Sequence, residues 1–191
     1  MKTLIQQLVK IAGAQYTLTD PAECLAYSYD NSRLQVLPLA VVFAQNHEHA
    51  VNVVRWCYEN AVPIVARGRG TGTPGGSVPA ENGIVLSFEQ MQKIVAISPA
   101  DRYLIAQAGV INQACQQAAA QHGFFWPPDP SSQNYCTIGG NLAYNSAGPR
   151  AIKYGTPREN TLGLTAITGT GDTIHTGVRT TKGVVGYDLT V

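Results

Sequence analysis

Apolar positions along the chain change their spacing several times, and each change marks an element. Leu4, Ile5, Leu8, Val9 and Ala12 recur at helical spacing, which predicts an opening amphipathic helix. Asp20-Pro21 supplies a cap followed by proline at the first helical position, starting a second short helix through about Ala26. Tyr27 to Pro38 has no period. Leu39 to Phe43 is an unbroken apolar run of strand length. Asn46 behind it can cap a helix to about Asn60, with Ala50, Val51, Val54, Cys57 and Tyr58 on its inner face. Val62 to Ala66 is the next strand. Strand, helix and strand in that order predict a parallel pair with a helical crossover.

Gly83 to Leu86 reads as a further strand. Ile94 to Ile97 and Tyr103 to Ala108 flank the turn Ser98-Pro99-Ala100-Asp101 and predict an antiparallel hairpin. Asn112 can cap a helix through about Gln121, ended by His122-Gly123. Gly139 to Asn145 predicts a short helix whose N-terminus faces a ligand. Thr161 to Thr168 and Thr173 to Thr176 predict a last hairpin around Gly169-Thr170-Gly171-Asp172. The outline is an α+β fold of two small subdomains with mixed sheets and flanking helices. The first covers residues 1 to about 86, and the second about 87 to 191.

Two stretches have no period and are crowded with Gly, Ser, Thr, Asn and Pro: Ala66 to Ser77 and Pro128 to Gly148. Ordering glycine costs more backbone entropy than ordering any other residue. Such loops recur where bare amides must approach a ligand, and concave amide arrays hold phosphate oxygens. Gly70-Thr71-Gly72-Thr73-Pro74-Gly75 satisfies G-x-G-x-x-G, a fingerprint that needs a helix to start within it. Pro74, Gly75, Gly76 and Pro79 break any such helix, so the dinucleotide-fold reading fails. The Walker reading fails as well, because no Lys-Ser or Lys-Thr follows the glycines. A pyrophosphate loop of bare amides remains, with Arg67 or Arg69 adding charge.

The run Pro63 to Gly72 followed by Gly75-Gly76 resembles the first flavin loop of the FAD-linked oxidases, specifically the branch of glycolate oxidase and D-lactate dehydrogenase. Pro127 to Ser132, Cys136 to Asn141 and Lys153 to Thr156 resemble that family's second region. Gly186-Tyr187-Asp188-Leu189 resembles the segment after it. The resemblance implies an FAD-binding PCMH-type fold, truncated before the C-terminal substrate domain, with non-covalent FAD in a cleft between the subdomains. Thr71 stands where covalently linked relatives place a His. The implied cofactor residues are Arg67, Gly68, Arg69, Gly70, Thr71, Gly72, Gly76 and Ser77 in the first loop. In the second they are Pro128, Asp129, Ser131, Thr137, Gly139, Gly140, Asn141, Asn145 and Gly148. Two departures stand out. Arg69 replaces a small residue, and Asn145-Ser146-Ala147-Gly148 replaces two adjacent glycines.

By this resemblance the chain is the FAD-binding portion of an oxidoreductase acting on a small 2-hydroxy acid, glycolate or D-lactate. The catalytic base is expected in the C-terminal domain, and that domain or a partner subunit is the expected partner. Two alternatives stand beside it: a flavin reductase of the enolpyruvyl-sugar type, and a stand-alone flavin- or nucleotide-binding module without turnover.

Candidate metal ligands give way to simpler readings. His47 and His49 are two apart on a helix and diverge. His122 suits a helix end, and His175 has no visible Ser or Cys partner. No metal is expected. Asp129 reads as a turn residue holding amides. Trp126 could stack on a ring or sit in the core, and Arg150, Lys153 and Arg158 are either solvated or face the substrate. Charged residues are 13% of the chain, about half the usual roughly 25%. Net charge is +1, with no basic cluster for nucleic acid. No apolar run approaches the ~18 residues of a membrane span. The four cysteines are scattered without a CxxC pair, which fits free thiols in the cytoplasm.

Overall fold

The computed structural model describes residues 2–178, 187, 189 and 190. The Gly186 to Leu189 match therefore falls at residues of which Gly186 and Asp188 lie outside the described set.

Helix α1, Lys2–Ala12, leads through a 3-10 turn at Ala14–Tyr16 into a two-residue strand, β1 at Thr17–Leu18. The sequence pattern is too short to announce that strand. Asp20 accepts a hydrogen bond from the Ala22 amide at 2.8 Å and starts α2, Pro21–Cys24, which tightens into a 3-10 turn over Leu25–Tyr27. Strands β2 (Ala40–Phe43), β3 (Ile64–Arg67) and β4 (Ile84–Ser87) complete a sheet of order β1-β2-β4-β3. β2 and β4 are buried throughout, as their unbroken apolar runs require of strands covered on both faces.

The crossover between β2 and β3 is α3, His47–Glu59, capped by Asn46, which accepts from the His49 amide at 2.9 Å. The two strands it joins are not neighbours. Each pairs in parallel with β4, Val41 and Val65 both opposite Val85. The inner face of α3 also differs from expectation. Ala50, Val54 and Cys57 are buried as predicted, but Val53 and Trp56 replace Val51 and Tyr58, and Tyr58 is 62% exposed. α3 packs on α1 as well as on the sheet, which turns its buried stripe toward both.

Strands β5 (Ile94–Ser98) and β6 (Tyr103–Ala106) form the predicted hairpin, with Arg102 in the left-handed region at φ 56° in its turn. Helix α4 spans Asn112–Ala120, α5 spans Ile138–Tyr144 and α6 spans Ala151–Tyr154. Asn112 does not cap α4. Ile111 holds the cap position and Asn112 is the first helical residue, fully buried. β7 (Gly163–Ile167) and β8 (Thr173–Gly177) form the last hairpin. Its turn is tied to α3 by Arg55 donating to the Gly171 carbonyl at 3.2 Å and by His47 with Thr173 at 2.7 Å.

Candidate functional site

The first glycine stretch leaves the C-terminal end of β3, and no helix follows it. Arg67, the last residue of β3, turns its side chain beneath the loop. Its guanidinium donates to the carbonyls of Tyr29 at 2.8 Å, Ser77 at 3.4 Å and Ala26 at 3.4 Å, and lies over the Tyr27 ring. Burial lowers its pKa, while Asp30 and neighbouring anions favour the cation. Asp30 is buried too and accepts from the Ser32 amide and the Ser77 hydroxyl. Burial alone would raise its pKa, but those hydrogen bonds prevail and hold the carboxyl below its usual range. Of the two arginines expected to add charge, Arg67 thus has its donors turned to the protein's own carbonyls. From one end of the loop Arg67 reaches the Ser77 carbonyl at the other, and the Tyr29 and Ala26 carbonyls beside it.

Beyond Arg67 the loop is anchored by its carbonyls. Asn31 donates its amide to the Gly72 carbonyl at 3.0 Å and its side chain to the Thr71 carbonyl at 3.1 Å. Among the described residues, none accepts a hydrogen bond from the amides of Gly68 to Thr73. Gly70 has φ 63°, which favours glycine, and a Cβ there would lie 2.3 Å from the Arg67 guanidinium, which would have to shift.

The second stretch packs against the first through side chains. A Cβ on Gly68 would lie 2.4 Å from the Thr137 hydroxyl, and one on Gly76 2.4 Å from the Tyr144 hydroxyl. The Tyr144 ring also lies against Gly72. Burial raises the Tyr144 pKa, Asp30 adds to the effect, and the Gly76 amide opposes it. A cleft of about 450 Å³ opens between the stretches, lined by Arg69, Thr71, Ile111, Asn134 and Tyr135.

Amides at the start of α5, within the second stretch, are already committed. Ile138 donates to the Val110 carbonyl at 2.8 Å, Gly139 to Ala108 at 2.9 Å, and Asn141 to the Thr137 carbonyl at 2.9 Å. The Thr137 hydroxyl caps α5 by accepting from Gly140 at 3.2 Å. Gly139 approaches Ala108 so closely that a Cβ would fall 2.8 Å from the alanine methyl. What the start of α5 offers a ligand is therefore side chain and Cα surface, not free N–H groups.

Asn141 and Asn112 are both buried, and Asn112 Oδ1 accepts from Asn141 at 2.9 Å and from the Trp126 indole at 2.9 Å. Asn112 Nδ2 donates to the Pro128 carbonyl at 3.1 Å, which also accepts from Gln116. This cluster binds α4, α5 and the Pro-rich turn together, and places Trp126 in the scaffold. Asp129 accepts from the Arg150 amide and pairs with its guanidinium at 3.1 Å, the turn-holding role read from the sequence. Gly148, at φ 77°, lies against the Asp129 backbone, where a Cβ would be 2.2 Å from the carbonyl oxygen. Asn145 takes φ 51° and accepts from the Arg158 amide, so asparagine serves where glycine would be usual. Ser131 is exposed beside the same turn. Lys153 lies over the Tyr154 ring.

The sequence reading missed Tyr27, Asp30, Glu89, Asn112 and Tyr144. Tyr27 donates to Glu89 at 2.7 Å, and Glu89 pairs with Arg69 at 3.2 Å. Burial first, then Glu89, pushes the Tyr27 pKa up. These residues lie far apart along the chain, and no local pattern joins them. Among the described residues no cluster of three His, Cys, Asp or Glu stands where it could hold a metal. No described helix is long and apolar enough to cross a membrane.

Comparisons with known proteins agree with this geometry. The family model described as FAD binding domain matches residues 38–177. Glycolate oxidase subunit GlcD of Bacillus subtilis is 40% identical over 190 residues, 99% of this chain and 40% of the relative. D-lactate dehydrogenase of Archaeoglobus fulgidus is 38% identical over 169 residues, covering 86% of this chain and 38% of the relative. The chain thus spans about two fifths of the length of these curated relatives. Among solved structures, an alkyldihydroxyacetonephosphate synthase superposes with TM-score 0.83 at 19% identity, over 96% of this chain and 36% of its own. A p-cresol methylhydroxylase superposes with TM-score 0.77 at 22% identity, over 92% and 35%. The fold shared with these structures is the α+β, PCMH-type one.

Proposed function

The chain belongs to the FAD binding domain family, and from that premise we propose that it is the cofactor-holding portion of a flavin-dependent oxidoreductase oxidising a 2-hydroxy acid of the glycolate or D-lactate type. The observation that carries the cofactor assignment is the first loop. Its carbonyls are tied back by Asn31, while the amides of Gly68 to Thr73 have no acceptor among the described residues. An unpaired run of N–H groups suits the acceptor-rich pyrophosphate of FAD. Flavin, when bound, accepts the hydride leaving the hydroxyl-bearing carbon.

The chain's own residues bind and orient. Arg67 and Asp30 fix the loop from below, Thr137 and Tyr144 set its distance from α5, and the cleft beside Arg69 and Tyr135 receives the cofactor. We assign Gly70, Gly72, Gly76 and Ser77 to the shape of the first loop. Pro128, Asp129, Ser131, Gly139, Gly140, Asn141, Asn145 and Gly148 belong to the wall that faces it. Residues 1 to about 86 and about 87 onward are taken as the two subdomains bordering the cleft. The base that accepts the hydroxyl proton is assigned to a part of the relatives' length that this chain does not span, or to a partner subunit. Thr71 offers no nucleophile for linkage of the usual histidine kind, so FAD is held non-covalently. The four cysteines are buried and unpaired, in keeping with a cytoplasmic setting.

The test is a visible spectrum of the protein during titration with FAD, followed by anaerobic addition of glycolate or D-lactate. Saturable uptake of flavin, release of all of it on acid precipitation, and bleaching by a hydroxy acid are expected. Absence of uptake would remove the cofactor assignment. Bleaching by NADPH but by no hydroxy acid would replace the substrate assignment with the reductase one.

A further inference from the structure

The cleft has one charged residue in its lining. Of Arg69, Thr71, Ile111, Asn134 and Tyr135, only Arg69 carries charge, and Arg67 is buried beneath the loop. The Arg69 side chain is 42% exposed and commits a single N–H, to Glu89 Oε2 at 3.2 Å. A guanidinium has five such donors, so most of its hydrogen-bonding capacity remains open among the described residues. Glu89 is itself held. Its other oxygen accepts from the Tyr27 hydroxyl at 2.7 Å, its side chain is only 18% exposed, and its amide donates to the Ser87 hydroxyl. Glu89 therefore cannot follow Arg69 outward. The arginine is tethered at one corner by a fixed carboxylate, next to a loop whose amides are free.

We propose that Arg69 is a specificity-determining residue that reads the pyrophosphate of the bound dinucleotide, with Glu89 as the positioning residue that fixes the guanidinium and partly offsets its charge. The inference rests on the flavin reading above. It goes further by giving the anion's recognition to one side chain and by giving its strength to a carboxylate that touches no ligand. Position 69 matters because the fixed amides set geometry but not charge. A cation beside them favours a dinucleotide, which carries two phosphate charges, over an uncharged flavin.

The experiment measures FAD and riboflavin affinity by fluorescence titration of wild type, R69M, R69K and E89Q. The series runs from about 0.01 M to about 1 M ionic strength, where the screening length shrinks from about 30 Å to about 3 Å. R69M is expected to weaken FAD at low salt by roughly ten- to a hundredfold, the range of a charge-assisted hydrogen bond. R69K recovers part of that loss. E89Q shifts affinity the other way, since its amide oxygen can still accept from Arg69, with the NH2 turned to the Tyr27 hydroxyl oxygen, while the opposing charge is removed. All the curves converge at high salt, and riboflavin affinity is the same in every variant. FAD binding that R69M leaves unchanged would overturn the inference alone. So would equal, salt-independent weakening by R69M and E89Q, or equal loss of riboflavin, since these mark a structural pair. Failure of the wild type to take up FAD would instead remove the flavin reading, and this inference with it.

Discussion

An arginine with 7% of its surface exposed is costly unless its donors are paired. Arg67 meets that condition through three carbonyls and the nearby Asp30, so its worth is structural. R67M leaves those carbonyls and a buried carboxylate without their partner, and should destabilise the protein by about 3–5 kcal/mol. R67K should restore little, because an ammonium cannot reach several acceptors in a plane. Urea unfolding measures both, and a loss under about 1 kcal/mol for R67M would show that Arg67 does not hold the loop. His49 makes a second case at the same scale. Its Nδ1 accepts from the Gln45 amide, and its Nε2 is buried without a hydrogen-bond partner. Burial lowers its pKa below 6.5, against a smaller opposing effect of the Ala12 carbonyl. The folded state thus binds the proton less readily than the unfolded one. Stability is unaffected above the unfolded value, near 6.5, and falls as pH drops from there toward the folded pKa. The wild-type stability curve should bend downward below about pH 6.5, and H49N should remove that bend. Parallel curves for the two proteins would count against the assignment.

Elements whose apolar residues carry their own period were legible in the sequence. β2, β4, α1 and both hairpins follow from apolar runs, helical spacing and turn residues that lie together in the chain. α3 was legible as a helix but not in its facing, because two surfaces share its stripe and periodicity alone cannot weight them. Asn112 misled for a related reason. A polar residue at a helix start resembles a cap, yet its side-chain carbonyl is engaged by Trp126 and Asn141 from elsewhere in the chain. The second glycine stretch hid its division of labour in the same way. Its composition matches the first, but Gly139 and Gly148 are there for close packing on Ala108 and Asp129. G148A should therefore cost about 2–4 kcal/mol, from a left-handed φ and a Cβ driven into backbone. G169A, in open space within the β7–β8 turn, should stay within about 0.5 kcal/mol of wild type. Thermal unfolding of the pair decides the matter, and similar melting temperatures would remove the packing argument for Gly148.

At the scale of the whole molecule, the open array of donors in the first loop faces the bonded amides at the start of α5. Hydrogen exchange can read that asymmetry directly, since an amide without an acceptor exchanges without any opening of the structure. Gly68 to Thr73 should exchange fast in the free protein, whereas Ile138, Gly139 and Asn141, bonded to Val110, Ala108 and Thr137, should be protected. Addition of FAD should slow the first set strongly. The second set should slow only as far as ligand binding raises global stability, about 2.7 kcal/mol at a hundredfold excess over Kd. The contrast follows from where the carbonyls go. Asn31 holds the back of the first loop so that its N–H groups stay free, while Val110 and Ala108 occupy those of α5. Equal protection gained by both sets would mean that the ligand orders the whole cleft and that the first loop is not preformed. Protection confined to Gly68 to Thr73 would mean that the fold holds this array ready and that α5 serves as its rigid wall.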